Sequence, residues 1–315
     1  MTAPGEVTVE VSCAGFCGTD MEFYKGTMVY LAEGRASYPV RIGHEWAGVV
    51  SAVGEGADRS WLGRRVTGDT MLGCGNCRRC LSGFHHVCQY RTELGIRGGR
   101  PGAMAERVSV PARSLCPLPD EVDDSMGAMV EPAGSAWRAV SSAALRAGDR
   151  VLVAGAGTIG LLTAMFARAV GAEPHLLERS ARSREFARSI GFADVWPEEE
   201  LPDEPWDAII DATDAVGLPA KALELVEPGK RVVFVGIASE PSLLDSRVLA
   251  LKDVTAVGIL GASAGLREAV AAYASGLVDP RPLIASTLSP EGLAGVLAGE
   301  RPPGAGEGPK FHVKF

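Results

Sequence analysis

Four cysteines within fifteen residues constrain the fold of this chain more than any other feature of its sequence. They follow the spacing Cys-x2-Cys-x2-Cys-x7-Cys, at Cys74, Cys77, Cys80 and Cys88. Two-residue gaps let successive thiolates converge on one tetrahedral ion, with Zn–S distances of about 2.3 Å. Four thiolates leave no coordination position open, so the spacing predicts a structural zinc knuckle. Buried free cysteines, or a zinc ribbon that contacts nucleic acid, are the alternatives.

The composition is typical of a globular protein, and the length predicts two domains. The chain has 315 residues and a net charge of −8, and domains average about 150 residues. An acidic chain without a basic cluster is a poor partner for phosphate backbones, so we expect no nucleic-acid binding. The N-terminus has neither a basic start nor an apolar run, and the thiols are clustered rather than paired. Both features predict a cytoplasmic protein without a secretory signal.

The periodicity of apolar residues changes near residue 132. Before it, valines alternate with small or polar residues, which predicts short strands and turns. After it, helical segments alternate with short apolar runs such as 151–154 and 232–235, which predicts a parallel, helix-covered sheet. The last residues, 311–315, return to a strand pattern. The sequence therefore predicts an α/β protein with a β-rich domain of residues 1–132 plus 276–315 and a doubly wound domain of residues 133–275.

A glycine motif follows the first strand of the second domain. Residues 151–167 are uncharged, but three glycines interrupt them, so the run predicts a strand, a turn and a helix rather than a membrane span. In the motif Gly-x-Gly-x-x-Gly, Gly155 allows a tight turn, Gly157 admits a pyrophosphate, and Gly160 lets helix and strand pack. Thr158 and Ile159 begin the helix, whose N–H groups would bind the phosphates. The alternative is a glycine turn without a nucleotide.

An acidic residue ends the next strand at the position expected for a ribose contact. Glu178 lies eighteen residues after Gly160. A carboxylate there accepts hydrogen bonds from the adenosine ribose hydroxyls and repels a 2′-phosphate, which favours NAD. Arg179 and Arg182 follow closely and would hold that phosphate if Glu178 turned away, so NADP stays possible.

Three separate fragments complete the set of chemically active residues. They are Cys17-Gly18-Thr19-Asp20, Gly43-His44-Glu45 and Glu131-Pro132. Singly, each has a structural explanation: a buried cysteine, a core histidine and the start of a helix. Together with the cysteine knuckle and the glycine motif, in this order, they resemble the zinc-dependent medium-chain dehydrogenase/reductase family. The resemblance runs from about Pro4 to the C-terminus and is closest to the polyol, sugar and threonine dehydrogenase branch.

The resemblance implies a GroES-like catalytic domain, a Rossmann domain and a second, catalytic zinc. Cys17 and His44 would be ligands of this zinc, and Glu131 sits where the third protein ligand sits. Glu45 matches a neighbouring glutamate that contacts zinc directly in some relatives. Both carboxylates at once would give the site a charge of −1, so we expect them to alternate or to differ in distance. Asp20 would accept a hydrogen bond from the other ring nitrogen of His44.

The resemblance also implies a mechanism. Three protein ligands and an exchangeable fourth position make the ion a Lewis acid for an alcohol. Thr19 would pass the hydroxyl proton outward, and Glu22 stands where this relay often ends in a histidine. A solvated surface acid is the alternative for Glu22.

The predicted function is hydride transfer between a secondary alcohol and NAD(P). The alcohol or ketone would be a small polyol, sugar or cyclitol-like molecule. Threonine 3-dehydrogenase and aminocyclitol dehydrogenase, of the same branch, are alternatives, as are a zinc-free reductase and a non-catalytic nucleotide-binding zinc scaffold or sensor. The family implies a homodimer or homotetramer, with residues 256–260 as an interface edge. No membrane partner is expected.

Overall fold

The computed structural model describes all 315 residues, which form fifteen strands and eleven helices. The strands are β1 (Glu6–Gly15), β2 (Glu45–Val53), β3 (Arg65–Gly68), β4 (Met71–Leu72), β5 (Thr92–Glu93), β6 (Arg107–Pro111), β7 (Leu115–Pro117), β8 (Arg150–Ala154), β9 (Glu173–Leu177), β10 (Val195–Trp196), β11 (Trp206–Asp211), β12 (Val226–Phe234), β13 (Thr255–Gly258), β14 (Ile284–Leu288) and β15 (Lys310–Val313). The helices are α1 (Gly18–Lys25), α2 (Val29–Ala32), α3 (Arg78–Leu81), α4 (Asp124–Ala128), α5 (Val130–Ala143), α6 (Thr158–Ala169), α7 (Ala181–Ser189), α8 (Leu218–Leu225), α9 (Ser246–Leu251), α10 (Leu266–Ala274) and α11 (Leu293–Leu297). No helix combines the length and the apolar character needed to cross a membrane.

The chain divides into two compact units. The first contains Met1–Gly134 and Gly261–Phe315, and the second contains Ser135–Leu260. The sequence-based boundary at residue 275 differs from this division, because residues 261–275 group with the first unit. Two buried hydrogen bonds join residues 261–275 to the first unit. Ser263 Oγ donates to Asp69 at 2.9 Å, and Tyr273 donates to the carbonyl of Met129 at 3.2 Å.

The first unit is organised around β1. Its seven-stranded sheet has the order β14-β15-β1-β2-β3-β7, and β6 also pairs with β1. Alternate residues of β1, Val7, Val9 and Val11, point into a buried core that includes Trp46. Burying such β-branched side chains on one face of a sheet stabilises the antiparallel pairing. The predicted β-rich domain is confirmed.

The second unit is a doubly wound parallel sheet. Its six strands have the order β10-β9-β8-β11-β12-β13, and all pairs are parallel. The central strand β8 is buried from Val151 to Ala154, as expected for a strand with helices on both faces of its sheet. In chain order this is the arrangement 3-2-1-4-5-6 of a dinucleotide-binding fold. The predicted fold class is confirmed.

Candidate active site

Asp20 connects the two segments that carry the first candidate ligands. It lies on α1, is fully buried, and accepts the backbone N–H of Cys17 at 2.9 Å and that of Gly43 at 3.1 Å. Its distance to His44 Nδ1 is 3.8 Å, too long for the expected hydrogen bond. The carboxylate is already engaged by the two backbone N–H groups, so Asp20 positions the chain around the ligands instead of fixing the imidazole directly.

His44 and Glu45 begin β2 after a turn that requires glycine. Gly43 has φ +96, and a Cβ there would lie 2.7 Å from the backbone nitrogen of Met104. The carbonyl of His44 accepts the hydroxyl of Thr70 at 3.3 Å. Both side chains are buried, with 4% of His44 and 1% of Glu45 exposed. The turn therefore delivers a histidine and a carboxylate into the interior at consecutive positions.

Cys17, His44 and Glu45 converge. Their ligand atoms all lie within 4.8 Å of one another, although the chain separates the first two by more than twenty residues. A thiolate, an imidazole and a carboxylate are the donor types that bind zinc, and three of them leave one position for substrate. The residues present therefore fit a catalytic zinc ion. Burial lowers the pKa of His44, but Asp20, Cys17 and Glu131 together raise it well above its ordinary value.

Glu131 stands next to this group without belonging to it. It lies in the first turn of α5 and is 8% exposed, but the mutually close ligand atoms do not include its carboxylate. Its pKa is raised to about 7, chiefly by burial, with His44 lowering it and the Glu45 carboxylate raising it. Glu131 can therefore hold a proton near neutral pH in the metal-free protein.

Lys310 is a site residue that the sequence analysis missed. It is 2% exposed, and its ammonium contacts both carboxylate oxygens of Glu45, at 2.7 and 2.8 Å, and the carbonyl of Phe16 at 2.6 Å. Burial lowers the pKa of Lys310, but Glu45, Cys17 and Asp20 together raise it overall. The available signal was the pattern of β15, in which Lys310 and His312 occupy alternate, inward positions of a strand.

The two proposed relay residues lie on α1. Thr19 is half-buried and Glu22 is exposed. Their spacing along the helix places them on neighbouring turns, and the proton route through them remains a prediction.

The four knuckle cysteines are drawn together as the spacing predicts. All four are free thiols. The Sγ atom of Cys74 lies 3.9 Å from that of Cys80 and 3.6 Å from that of Cys88, and the Sγ atoms of Cys77 and Cys88 lie 3.7 Å apart. A tetrahedron with Zn–S bonds of about 2.3 Å has sulfur separations of about 3.8 Å. The cluster is therefore suited to a structural zinc. The backbone N–H of Asn76 lowers the pKa of Cys74 to about 6, which favours the thiolate.

The glycine motif forms the predicted strand–turn–helix in the second unit. Gly155 follows β8 with φ +93, and Gly157 is the N-cap of α6. A Cβ on Gly160 would overlap the carbonyl of Gly155, whereas one on Gly157 would meet nothing within 4 Å. Gly160 is thus required for packing, and Gly157 leaves open space in front of the helix N–H groups of Thr158 and Ile159.

Glu178 is fixed against the glycine motif. Its two carboxylate oxygens accept the backbone N–H groups of Ala156 and Ser180, each at 2.8 Å. Arg179 is exposed. The carboxylate is therefore directed toward the glycine turn, and the neighbouring guanidinium faces solvent.

Two family descriptions match the chain. The alcohol dehydrogenase GroES-like domain matches residues 3–120, and the zinc-binding dehydrogenase description matches residues 158–275. Together with the two metal-ligand clusters and the glycine motif, they define a zinc-dependent, NAD(P)-dependent dehydrogenase that acts on alcohols. The chain belongs to the zinc-dependent medium-chain dehydrogenase/reductase family, in the polyol and threonine dehydrogenase branch.

Individual relatives agree with this placement. The chain is 34% identical to 2-dehydro-3-deoxy-L-galactonate 5-dehydrogenase of Pseudoalteromonas atlantica, covering 90% of this chain and 84% of the relative. It is 32% identical to L-threonine 3-dehydrogenase of Deinococcus deserti, covering 82% and 77%. An alcohol dehydrogenase of Escherichia coli CFT073, solved with NADH, superposes with a TM-score of 0.90 at 28% identity and covers 100% of this chain and 93% of that one.

The raised pKa of Glu131 predicts a pH-dependent stability of the protein without its catalytic metal. The folded state holds a proton that the unfolded state releases near the ordinary pKa of 4.5. Stability should therefore fall as pH rises from about 4.5 to about 7, by about 3 kcal/mol. Urea unfolding after mild chelation, between pH 5 and 7.5, measures this. Glu131→Gln should flatten this decline in stability with pH. Parallel stability profiles for the wild type and the variant would contradict the prediction.

Proposed function

We propose that Cys17, His44 and Glu45 hold the catalytic zinc, with Glu131 as an adjacent carboxylate. The observation that carries this proposal is the convergence of a thiol, an imidazole and a carboxylate within 4.8 Å inside the first unit. Zinc bound there would supply a Lewis acid that lowers the pKa of a substrate hydroxyl. Cys74, Cys77, Cys80 and Cys88 would hold the structural zinc.

The protein's own groups would then position the alcohol and take its proton. Thr19, two residues after Cys17, accepts the hydroxyl proton and passes it toward Glu22, which is exposed on the same helix. A bound nicotinamide cofactor would supply the hydride acceptor for the carbinol carbon once this proton is lost. Glu131, a buried carboxylate beside this group, offers a second proton acceptor.

We propose a polyol, sugar or sugar-acid alcohol as the substrate. Enzymes named for a sugar acid and for threonine are among the relatives, and structures named for butanediol and galactitol-1-phosphate dehydrogenases share the fold. These substrates have in common a secondary hydroxyl on a polar carbon chain. Threonine 3-dehydrogenase activity is the second candidate, supported by the relatives of that name. A cytoplasmic location agrees with seven free thiols.

The Cys17→Ala variant tests the metal site. It should lose one of two zinc ions per chain and at least about a thousandfold of kcat, because the Lewis acid leaves with its ligand. Metal analysis and NADH absorbance with a panel of polyols, sugar acids and threonine measure both effects. Cys116→Ala, at a buried thiol outside both clusters, is the control and should keep both ions. Retained turnover in Cys17→Ala would refute the assignment.

We further propose NAD as the preferred cofactor. The Glu178 carboxylate is fixed at the end of β9 by two N–H groups, where a 2′-phosphate would meet its charge. Glu178→Gln should reduce the preference for NAD over NADP by at least about tenfold, since the repulsion disappears and Arg179 remains. The ratio of kcat/KM for the two cofactors measures this. Glu185→Gln, an exposed acid on α7, should leave the ratio unchanged, and a wild-type protein that prefers NADP would contradict the proposal.

A homodimer through β13 is also proposed. This strand is at the edge of the parallel sheet, with Thr255, Ala256 and Gly258 exposed. An edge with free backbone N–H and C=O groups is suited to pairing with a second copy. Exposed leucines of the same unit, Leu243 and Leu251, offer apolar surface to an interface.

Ala256→Lys tests this interface. A charge on the edge strand should convert the dimer to monomers in light scattering after size exclusion, because burying an unpaired ammonium is costly. Ala147→Lys, on an exposed loop of the same unit, is the matched control and should stay dimeric. A wild-type monomer, or an unchanged mass for Ala256→Lys, would rule out β13 as the interface.

A further inference from the structure

The proton route and the ligand set described above give no role to the buried charge of Lys310. Lys310 lies on β15 at 2% exposure, and its ammonium has three acceptors: the two oxygens of Glu45 and the carbonyl of Phe16. An ammonium has three N–H donors, so all of them are used. Removing one partner of a buried ion pair leaves the other charge buried and uncompensated, which strongly destabilises the folded state. The arrangement is therefore strongly held.

Glu45 is confined from two sides. Lys310 occupies both of its oxygens, and the backbone of Gly15 packs against Oε2 so closely that a Cβ there would overlap it. Yet the same carboxylate lies within 4.8 Å of the ligand atoms of Cys17 and His44. Glu45 is thus shared between a fixed ammonium and the place where a metal ion would bind.

These contacts make the ammonium and the metal competitors for one carboxylate. A carboxylate that donates fully to a metal binds it tightly, while one already paired with an ammonium is a weaker ligand. The ammonium's positive charge also opposes a cation in the same low-dielectric region. Both effects loosen the metal and keep it a stronger Lewis acid for an alcohol.

We propose that Lys310 is a positioning residue that restrains Glu45, weakens its bond to the catalytic metal and so keeps that metal a stronger Lewis acid for the substrate alcohol. This inference rests on the proposed function, which supplies the metal. It has a consequence that a purely structural lysine would not have. Removal of the ammonium should make the metal leave more slowly while turnover falls, whereas loss of a structural contact would loosen the site and make the metal leave faster.

The experiment measures metal release from the zinc-loaded full chain. A chelating dye in excess reports each zinc as it dissociates, and the phase that is missing in Cys17→Ala belongs to the catalytic site. Lys310→Gln removes the charge and keeps two N–H donors, which favours folding. Its catalytic-site phase should be at least about tenfold slower than that of the wild type, and its kcat should be at least about tenfold lower. Lys310→Arg should restore both.

Two further variants separate the explanations. Lys314→Gln removes a charge from an exposed lysine of the same C-terminal segment and should change neither release nor kcat. In a Glu45→Gln background, Lys310→Gln should slow release much less than in the wild type, because the restrained carboxylate is gone. An equal effect in both backgrounds, or faster release in Lys310→Gln, overturns the proposal. A wild type without a Cys17-dependent phase overturns the metal site itself.

Discussion

The antiparallel register of β1 is the constraint on which the candidate active site depends. Gly15, at the end of this strand, is opposite Glu45 on β2 and opposite His312 on β15. Two residues later the chain reaches Cys17. One strand end therefore brings together a thiol from the N-terminal segment, a carboxylate from the middle of the first unit and a lysine from the C-terminal tail. A shift of one residue would turn each of these side chains to the opposite face.

Fixed contacts satisfy two of the buried carboxylates at this point. Asp20 binds two backbone N–H groups, and Glu45 is paired with Lys310, so neither carboxylate is left unsatisfied. Glu131 has no comparable cation in contact, and burial raises its pKa to about 7. The site therefore combines carboxylates held in place with one that can exchange a proton.

Several parts of this architecture could be predicted because their signals are local. The knuckle spacing predicts the approach of Cys74, Cys77, Cys80 and Cys88, since short loops bring their sulfurs together. The glycine motif predicts the turn at Gly155 because only glycine adopts its backbone conformation without strain. The sequence-based domain boundary at residue 275 differs from the division in the structure. The segment 261–275 joins the first unit through contacts with residues distant in sequence, such as Asp69 and Met129.

The sequence by itself determined the fold class, the glycine motif, the clustering of the four knuckle cysteines and the residue types available for catalysis. Only the tertiary structure decided how they are used. It placed Asp20 against two backbone N–H groups and 3.8 Å from His44. It grouped Glu45 rather than Glu131 with Cys17 and His44. It also paired Glu45 with Lys310, which lies 265 residues further along the chain. The reason is physical: short spacings and backbone preferences act between near neighbours, whereas ion pairs and strand register depend on which distant segments share a buried surface.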